Sequence, residues 1–343
     1  MSRRGRRDLR ELGVRVVNSN DATAPTADIT SLKEIKDDLR DRLVLKLEQE
    51  GLSVPDNARK KVDAALIAVL RIRHRTIQAR PRQVHFSKEL KTRLPELNQE
   101  TQAALEVVAG ELERGEDVTQ RLTREHFRSG FNDRLHNDLG VQHLHLGARN
   151  LAQDSTGKHA MCEGHDDLLW VIVRPDDLYL LDVLGHGAFA KYDFGQVVYD
   201  NWKYLLGEPL EGWTADAEDV LPADVRGRLR KAGLTTLLTI NGECFCPGGY
   251  MKDGTSDEVV RVAFYLLNKL ADLHEWLEKN LEPILADLAE MTGARIGGLD
   301  LRVRDLDAFI YGEISLEEKN TGGVFVFAGR ENHFGFMQSK APT

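Results

Sequence analysis

In the first third of the chain, apolar residues recur at helical spacing. In "DITSLKEIKDDLRDRLVLKLEQEGL", Leu32, Ile35, Leu39, Leu43 and Leu47 fall on one face, Thr30 or Ser31 offers a cap, and Gly51 offers a stop. "NARKKVDAALIAVLRIRHRTI" predicts a second helix, closed by Pro81. A short helix near residues 87–94 and a longer one near 99–114, ended by Gly115, follow in "VHFSKELKTRLPELNQETQAALEVVAGELERGEDVTQRL".

Beyond these helices the pattern becomes that of strands. "GVQHLHLG", "DLLWVIVRP" and "LYLLDVLGH" are short aliphatic runs, and "RPDDLY" between the last two is a turn. "DFGQVVYDNWKYLLG" returns to helix, with Gly207 and Pro209 marking a boundary. Farther on, "TTLLTINGECFCPGGYMKDGTS" predicts a strand pair joined by tight turns, and "RVAFYLLNKLADLHEWLEKNLEPILADLAEMTG" a long helix broken at Pro283. Trp276, Leu277, Leu281 and Leu285 on that helix read as core. Further strand candidates lie in "GGLDLRVRDLDAFIYGEISL" and "GGVFVFAGRENHFGFMQ".

The pattern predicts an α+β protein. It divides into a mobile polar tail (1–28), a helical segment (29–83), a middle α+β unit of helices followed by a strand meander (84–207), and a C-terminal α+β unit (208–343).

Composition narrows the class of protein. With 41% hydrophobic and 29% charged residues in 343, the chain can bury a substantial core. No window approaches the roughly 18 consecutive apolar residues of a membrane-spanning helix. The start "MSRRGRRDLRELG" does not read as a secretory signal, so a cytosolic location is expected. Three cysteines (Cys162, Cys244, Cys246) are too few for a disulfide framework or a four-thiolate zinc site.

The net charge of -9 hides two basic stretches. Residues 3–15 carry Arg3, Arg4, Arg6, Arg7, Arg10 and Arg15, and "RIRHRTIQARPR" carries Arg71, Arg73, Arg75, Arg80 and Arg82, in a stretch without an acidic residue. Such a run is either a solvated helix face or a patch whose guanidinium groups pair with phosphate.

The middle of the chain, about residues 84–197, resembles the RelE/HigB-like toxin fold of bacterial toxin-antitoxin systems. The resemblance rests on "FSKELKTRLP", "ELERGEDVTQRL" and "LLWVIVRPDDLYLLDVLGHGAFAKY" in that order. It implies a central helical hairpin packed on a small antiparallel sheet, and a metal-independent endoribonuclease of toxin or phage-defence type, with basic and tyrosine side chains on that sheet acting on RNA and with an antitoxin or other protein as partner. Where that family usually has arginine beside the last histidine, this chain has Gly187 after His186.

The residues themselves point to phosphodiester chemistry through "NDLGVQHLHLG". On a strand, His143 and His145 project from one face, and the next hairpin supplies Asp182 and His186. One imidazole would take the proton of a 2′-OH and a second would protonate the leaving 5′-oxygen; Asp182 would orient one ring, and Tyr192 or Lys191 would stabilise charge on phosphorus. No cofactor is required. A divalent metal held by Asp138, His143, His145 and His186 is the alternative, and a non-catalytic RNA- or protein-binding module is another. "FNDRLHND" places Asn132, Arg134, His136 and Asn137 where they could line a phosphate pocket or form an Asx turn. His165 reads as loop.

Overall fold

The computed structural model describes residues 29–149, 152–153, 159–214, 216, 220–293 and 296–326. The expected tail, residues 1–28, lies outside them, as does the last strand candidate beyond residue 326. The elements in chain order are α1 (Leu32–Gln49), α2 (Val62–Arg75), β1 (Gln83–Phe86), α3 (Lys88–Arg93), α4 (Gln99–Arg114), α5 (Arg134–Leu139) and β2 (Val141–His145). Next come β3 (Ala152–Gln153), β4 (Ala160–Met161), β5 (Asp167–Val173), β6 (Asp177–Gly185), α6 (Ala188–Lys191), α7 (Phe194–Trp202), α8 (Ala223–Lys231), β7 (Leu238–Ile240) and β8 (Glu243–Phe245). The chain ends in α9 (Asp257–Lys279), α10 (Leu281–Thr292), β9 (Leu301–Val303), α11 (Leu306–Ile310), β10 (Ser315–Glu318) and β11 (Val324–Val326). Helices and several small sheets make this an α+β protein.

The chain divides differently from the composition-based segments. Among the described residues one compact unit takes 29–50, Val54–Leu70 and 261–326, and the other takes Gly51–Ser53 and Arg71–Val260. Neither expected boundary, after residue 83 or after 207, is where contacts thin out. The crossings fall inside α2 and α9, where helical periodicity runs on without a break that composition could register.

In the first unit, α1 buries Ile35, Leu39, Leu43 and Leu47 as its spacing requires. Its cap is Ser31: the Ser31 hydroxyl accepts from the Glu34 N–H, and the Glu34 carboxylate accepts from the Ser31 N–H. Thr30 instead donates to the Leu299 carbonyl at 3.2 Å. β9, β10 and β11 form an antiparallel sheet, with Leu316 opposite Val303 and Phe325. The long helical pattern breaks at Asn280 rather than at Pro283. Pro283 lies in the first turn of α10, where no intrahelical partner exists for its missing N–H, so it is tolerated there.

The second unit is organised by a sheet of strand order β1-β6-β5-β2. β2, β5 and β6 are antiparallel as expected, but β1 runs parallel to β6, with His85 opposite Tyr179, so the sheet is mixed. Both faces are covered, which is why β5 and β6 read as near-continuous apolar runs. One face packs Leu144, Leu169, Val171, Leu178, Leu180 and Val183 against Leu105, Val108 and Leu112 of α4. The other packs Val141, Trp170, Ile172, Tyr179 and Leu181 against Phe194, Val197 and Val198 of α7. The register shifts between Trp170 and Val171, opposite Leu180 to Asp182 of β6, a bulge that re-aims the side chains following it.

Two glycines frame β2 for specific reasons. Gly140 ends α5 in the left-handed region at φ 71°, so the chain turns directly into Val141. A Cβ on Gly147 would stand 2.1 Å from the Glu163 carbonyl oxygen, a clash only glycine avoids.

Candidate functional site

β2 projects His143 and His145 onto the face that carries Trp170, and the end of β6 delivers His186 beside them. The ring centroids of His143 and His145 are 5.8 Å apart, those of His145 and His186 5.6 Å, and those of His143 and His186 6.4 Å. Trp170, opposite His143 in the ladder, forms the floor: its ring centroid is 5.1 Å from that of His143, and its Nε1–H donates to the Leu184 carbonyl at 3.2 Å. Among the described residues, nothing hydrogen-bonds to the ring nitrogens of these imidazoles.

Burial and mutual proximity set their protonation. His145 is pushed down to about 4, first by burial and then by His143, His186, Arg124 and His165. Burial likewise lowers His143, with His186 adding to the effect and Asp133 opposing it. Two neutral imidazoles at physiological pH, beside the exposed ring of His186, provide base, hydrogen-bond or ligand capacity in one place. Among the described residues no group of three or more His, Cys, Asp or Glu side chains is placed to hold a metal ion.

Asp182 does not join this group. It is fully buried and accepts from Arg93 Nε at 2.7 Å, Arg93 Nη2 at 3.2 Å, its neighbour Val183 N–H at 2.8 Å and the Tyr192 hydroxyl at 2.6 Å. Asp182 stands opposite Trp170, one strand farther along the row from His143, and there its carboxylate meets Arg93 of α3. Tyr192 is consequently committed to Asp182, and burial with that bond raises its pKa. Arg93 and Tyr192 also line an open cavity of about 330 Å³ with Lys88, Glu89, Thr92 and Glu96. The expected roles of Asp182 as orienter and Tyr192 as charge stabiliser therefore have no geometric basis at the imidazoles. Asp138 is likewise engaged elsewhere, accepting from Arg230 Nε at 2.8 Å and Nη2 at 2.6 Å, while burial raises its pKa.

The basic run is mostly structural. Arg75 is 5% exposed, and its guanidinium donates to the carbonyls of Arg71, Phe131, His126 and Arg128. Arg82 is 6% exposed and donates to the carbonyls of Arg174 and Arg80. Burial lowers both to about 10. Arg71 pairs with Asp253 at 2.7 Å, Arg80 with Asp176, and Arg134 donates to the carbonyls of Arg230 and Lys231. Arg73 is half-buried on the same helix. Lys191 is exposed at the end of α6, and among the described residues it makes no ion pair.

Within "FNDRLHND" Asp133 accepts from the N–H groups of Leu135 and His136, the Asx hydrogen bonding expected there, and in doing so caps α5. His136 donates through Nε2 to the His74 carbonyl at 3.1 Å, and its ring lies 4.6 Å from that of His74. Asn132, His136 and Asn137 line a narrow polar crevice with Arg71, His74 and Arg75, of about 10 Å³, room for a water-sized group and not for a phosphate.

Residues missed in the sequence surround the imidazoles. Arg124 is exposed and near enough to His145 for its charge to act on the ring, and His165, in the loop expected for it, holds Nδ1 3.1 Å from both the N–H and the carbonyl of Asp167. Trp170 was readable only as core. At the far edge of the sheet, His85 Nε2 meets Asp177 at 2.8 Å and stacks on Tyr179.

Comparison of the chain with protein-family models, with curated proteins and with solved structures gives no match. Among the described residues no helix is long and apolar enough to cross a membrane.

Proposed function

We propose that the second unit is an endoribonuclease module that cleaves RNA by metal-independent acid/base chemistry on the histidine cluster. The observation that carries this reading is a set of imidazoles gathered within 6.4 Å of one another, with no hydrogen bond from the described protein to their rings. Buried polar groups normally find partners, so groups left open beside solvent are available to a substrate. Neutral His143 or His145 accepts the 2′-OH proton, and the 2′-oxygen forms a bond to phosphorus. The bond from phosphorus to the 5′-oxygen breaks, and that oxygen takes a proton from His186, leaving a 2′,3′-cyclic phosphate and a free 5′-OH. Arg124, close enough to His145 for its charge to act on the ring, and the exposed Lys191 at the end of α6 are cations that no acidic side chain has claimed among the described residues. The toxin-like order of elements in the middle of the chain points to the same reaction, and a cytosolic setting with an antitoxin or other protein partner belongs to that part of the proposal. The dispersed arginines of α2 carry none of it.

The test is incubation of the purified protein with mixed RNA and single-stranded DNA, with and without EDTA, beside a His143→Ala, His145→Ala variant. RNA cleavage that survives EDTA and is absent in the variant is the expected result. Loss with EDTA moves the imidazoles to metal chemistry, and no cleavage in any lane leaves a binding module.

A further inference from the structure

Past His145 the strand ladder ends: β5, its partner, begins at Asp167 opposite Gly185, and the carbonyls that follow need other donors. Arg121 provides them. It is 2% exposed, and its Nη1 donates to the His145 carbonyl at 3.1 Å and to the Gly147 carbonyl at 2.9 Å. The other edge of its guanidinium is gripped by Glu111 of α4, Nε to Oε2 at 2.5 Å and Nη2 to Oε1 at 2.8 Å. Arg149 adds a second cation to Glu111 at 2.7 Å. The neighbouring backbone is tied in as well, with Glu163 N–H donating to Ala148 at 2.8 Å and Cys162 N–H to Gln120 at 3.0 Å.

A buried ion pair stabilises little more than apolar side chains of the same volume would. What apolar side chains cannot supply is the pair of donors aimed at the two carbonyls on either side of Leu146. We infer that Arg121, held by Glu111, is a positioning residue that fixes the end of β2 and thereby aims the His145 imidazole into the histidine cluster. The inference rests on the reading of that cluster as the working site. It adds a specific route, through backbone carbonyls, by which α4 controls the site's geometry.

Ring titration of His145 by nitrogen-15 NMR tests this without any substrate. Two variants separate positioning from support. Arg121→Met with Glu111→Met removes the ion pair without leaving a buried charge. Arg121→Lys keeps a cation for Glu111 but loses the fork to His145 and Gly147. In both, a released β2 end lets the ring into water, and its midpoint climbs by about one to two units toward the ordinary value near 6.5. A His145 titration unchanged from wild type in Arg121→Lys, whatever happens to the melting temperature, overturns the inference. If the double variant fails to fold, Arg121→Lys alone decides. A wild-type protein that cleaves no RNA while the variants show the shift defeats only the functional reading.

Discussion

His143 and Asp182 stand in one row of the sheet, on either side of Trp170, yet the two positions have opposite fates. Asp182 is saturated: two donors from Arg93, one from Tyr192 and one backbone N–H occupy a carboxylate with no exposed surface. The imidazoles of His143, His145 and His186 lie against one another, His143 also against Trp170, and, among the described residues, their ring nitrogens make no hydrogen bond. A polar group whose bonds are complete holds the fold, and one whose bonds are open can turn over a substrate. Residue type alone had placed both in one site. Bonding state separates them.

The largest effect that can break this comparison is on activity. The His143→Ala, His145→Ala protein should lose RNA cleavage by about a hundredfold to ten-thousandfold, the span general acid/base groups contribute, with little change in thermal midpoint. Asp182→Ala should do the reverse. Removing a buried, fully bonded carboxylate costs about 3–5 kcal/mol, read as a lower denaturant midpoint, while cleavage per folded molecule persists.

A proton inventory sharpens the contrast at the next level. His145 carries a folded-state value of about 4 against about 6.5 when unfolded. The stability associated with keeping it neutral is complete above the unfolded value and is lost as pH falls from about 6.5 to 4, because the unfolded chain takes up the proton first. At about 1.4 kcal/mol per pH unit the loss should approach roughly 3 kcal/mol, less what solvent screening of the partly exposed ring removes, and His145→Gln should flatten the denaturation midpoint over that window. His126, 4% exposed and pushed by burial to about 3, adds a loss of the same sign and serves as the control that lies outside the cluster. Smallest is Tyr192→Phe, which removes one hydrogen bond to Asp182 and should cost about 1 kcal/mol without changing the cleavage rate.

Much of the fold was legible where periodicity and capping agree. α4 runs Gln99–Arg114 between an Asn98 cap and Gly115 at φ 74°, and β2, β5 and β6 occupy the three aliphatic runs. α5 was hidden because Asn and Asp serve turns and helix caps alike: Asp133 makes the turn bond to the Leu135 N–H, and only its further bond to the His136 N–H and the backbone bond from Asn137 N–H to Asp133 mark it as a cap. The parallel entry of β1 depends on contacts between residues 83–86 and 177–180, which no local pattern encodes.

The candidate site was half legible for the same reason. Period-two alternation puts His143 and His145 on one face from sequence alone, and the hairpin turn brings His186 near. What alternation cannot anticipate is the strand order, which stands Trp170 of β5 between His143 and Asp182, and the claim Arg93 and Tyr192 make on the carboxylate. Charge density misled in a similar way. Arg75 and Arg82 look like a nucleic-acid patch in one dimension, but their donors meet backbone carbonyls in three.

The most direct measurement is a single cleavage assay on RNA, in EDTA, comparing wild type with the His143→Ala, His145→Ala variant and Tyr192→Phe at matched folded concentration. The account predicts that the double histidine variant is inactive while Tyr192→Phe cleaves at the wild-type rate. An inactive Tyr192→Phe beside an active double histidine variant would contradict it, placing the chemistry at the Asp182 cluster instead of at the histidines.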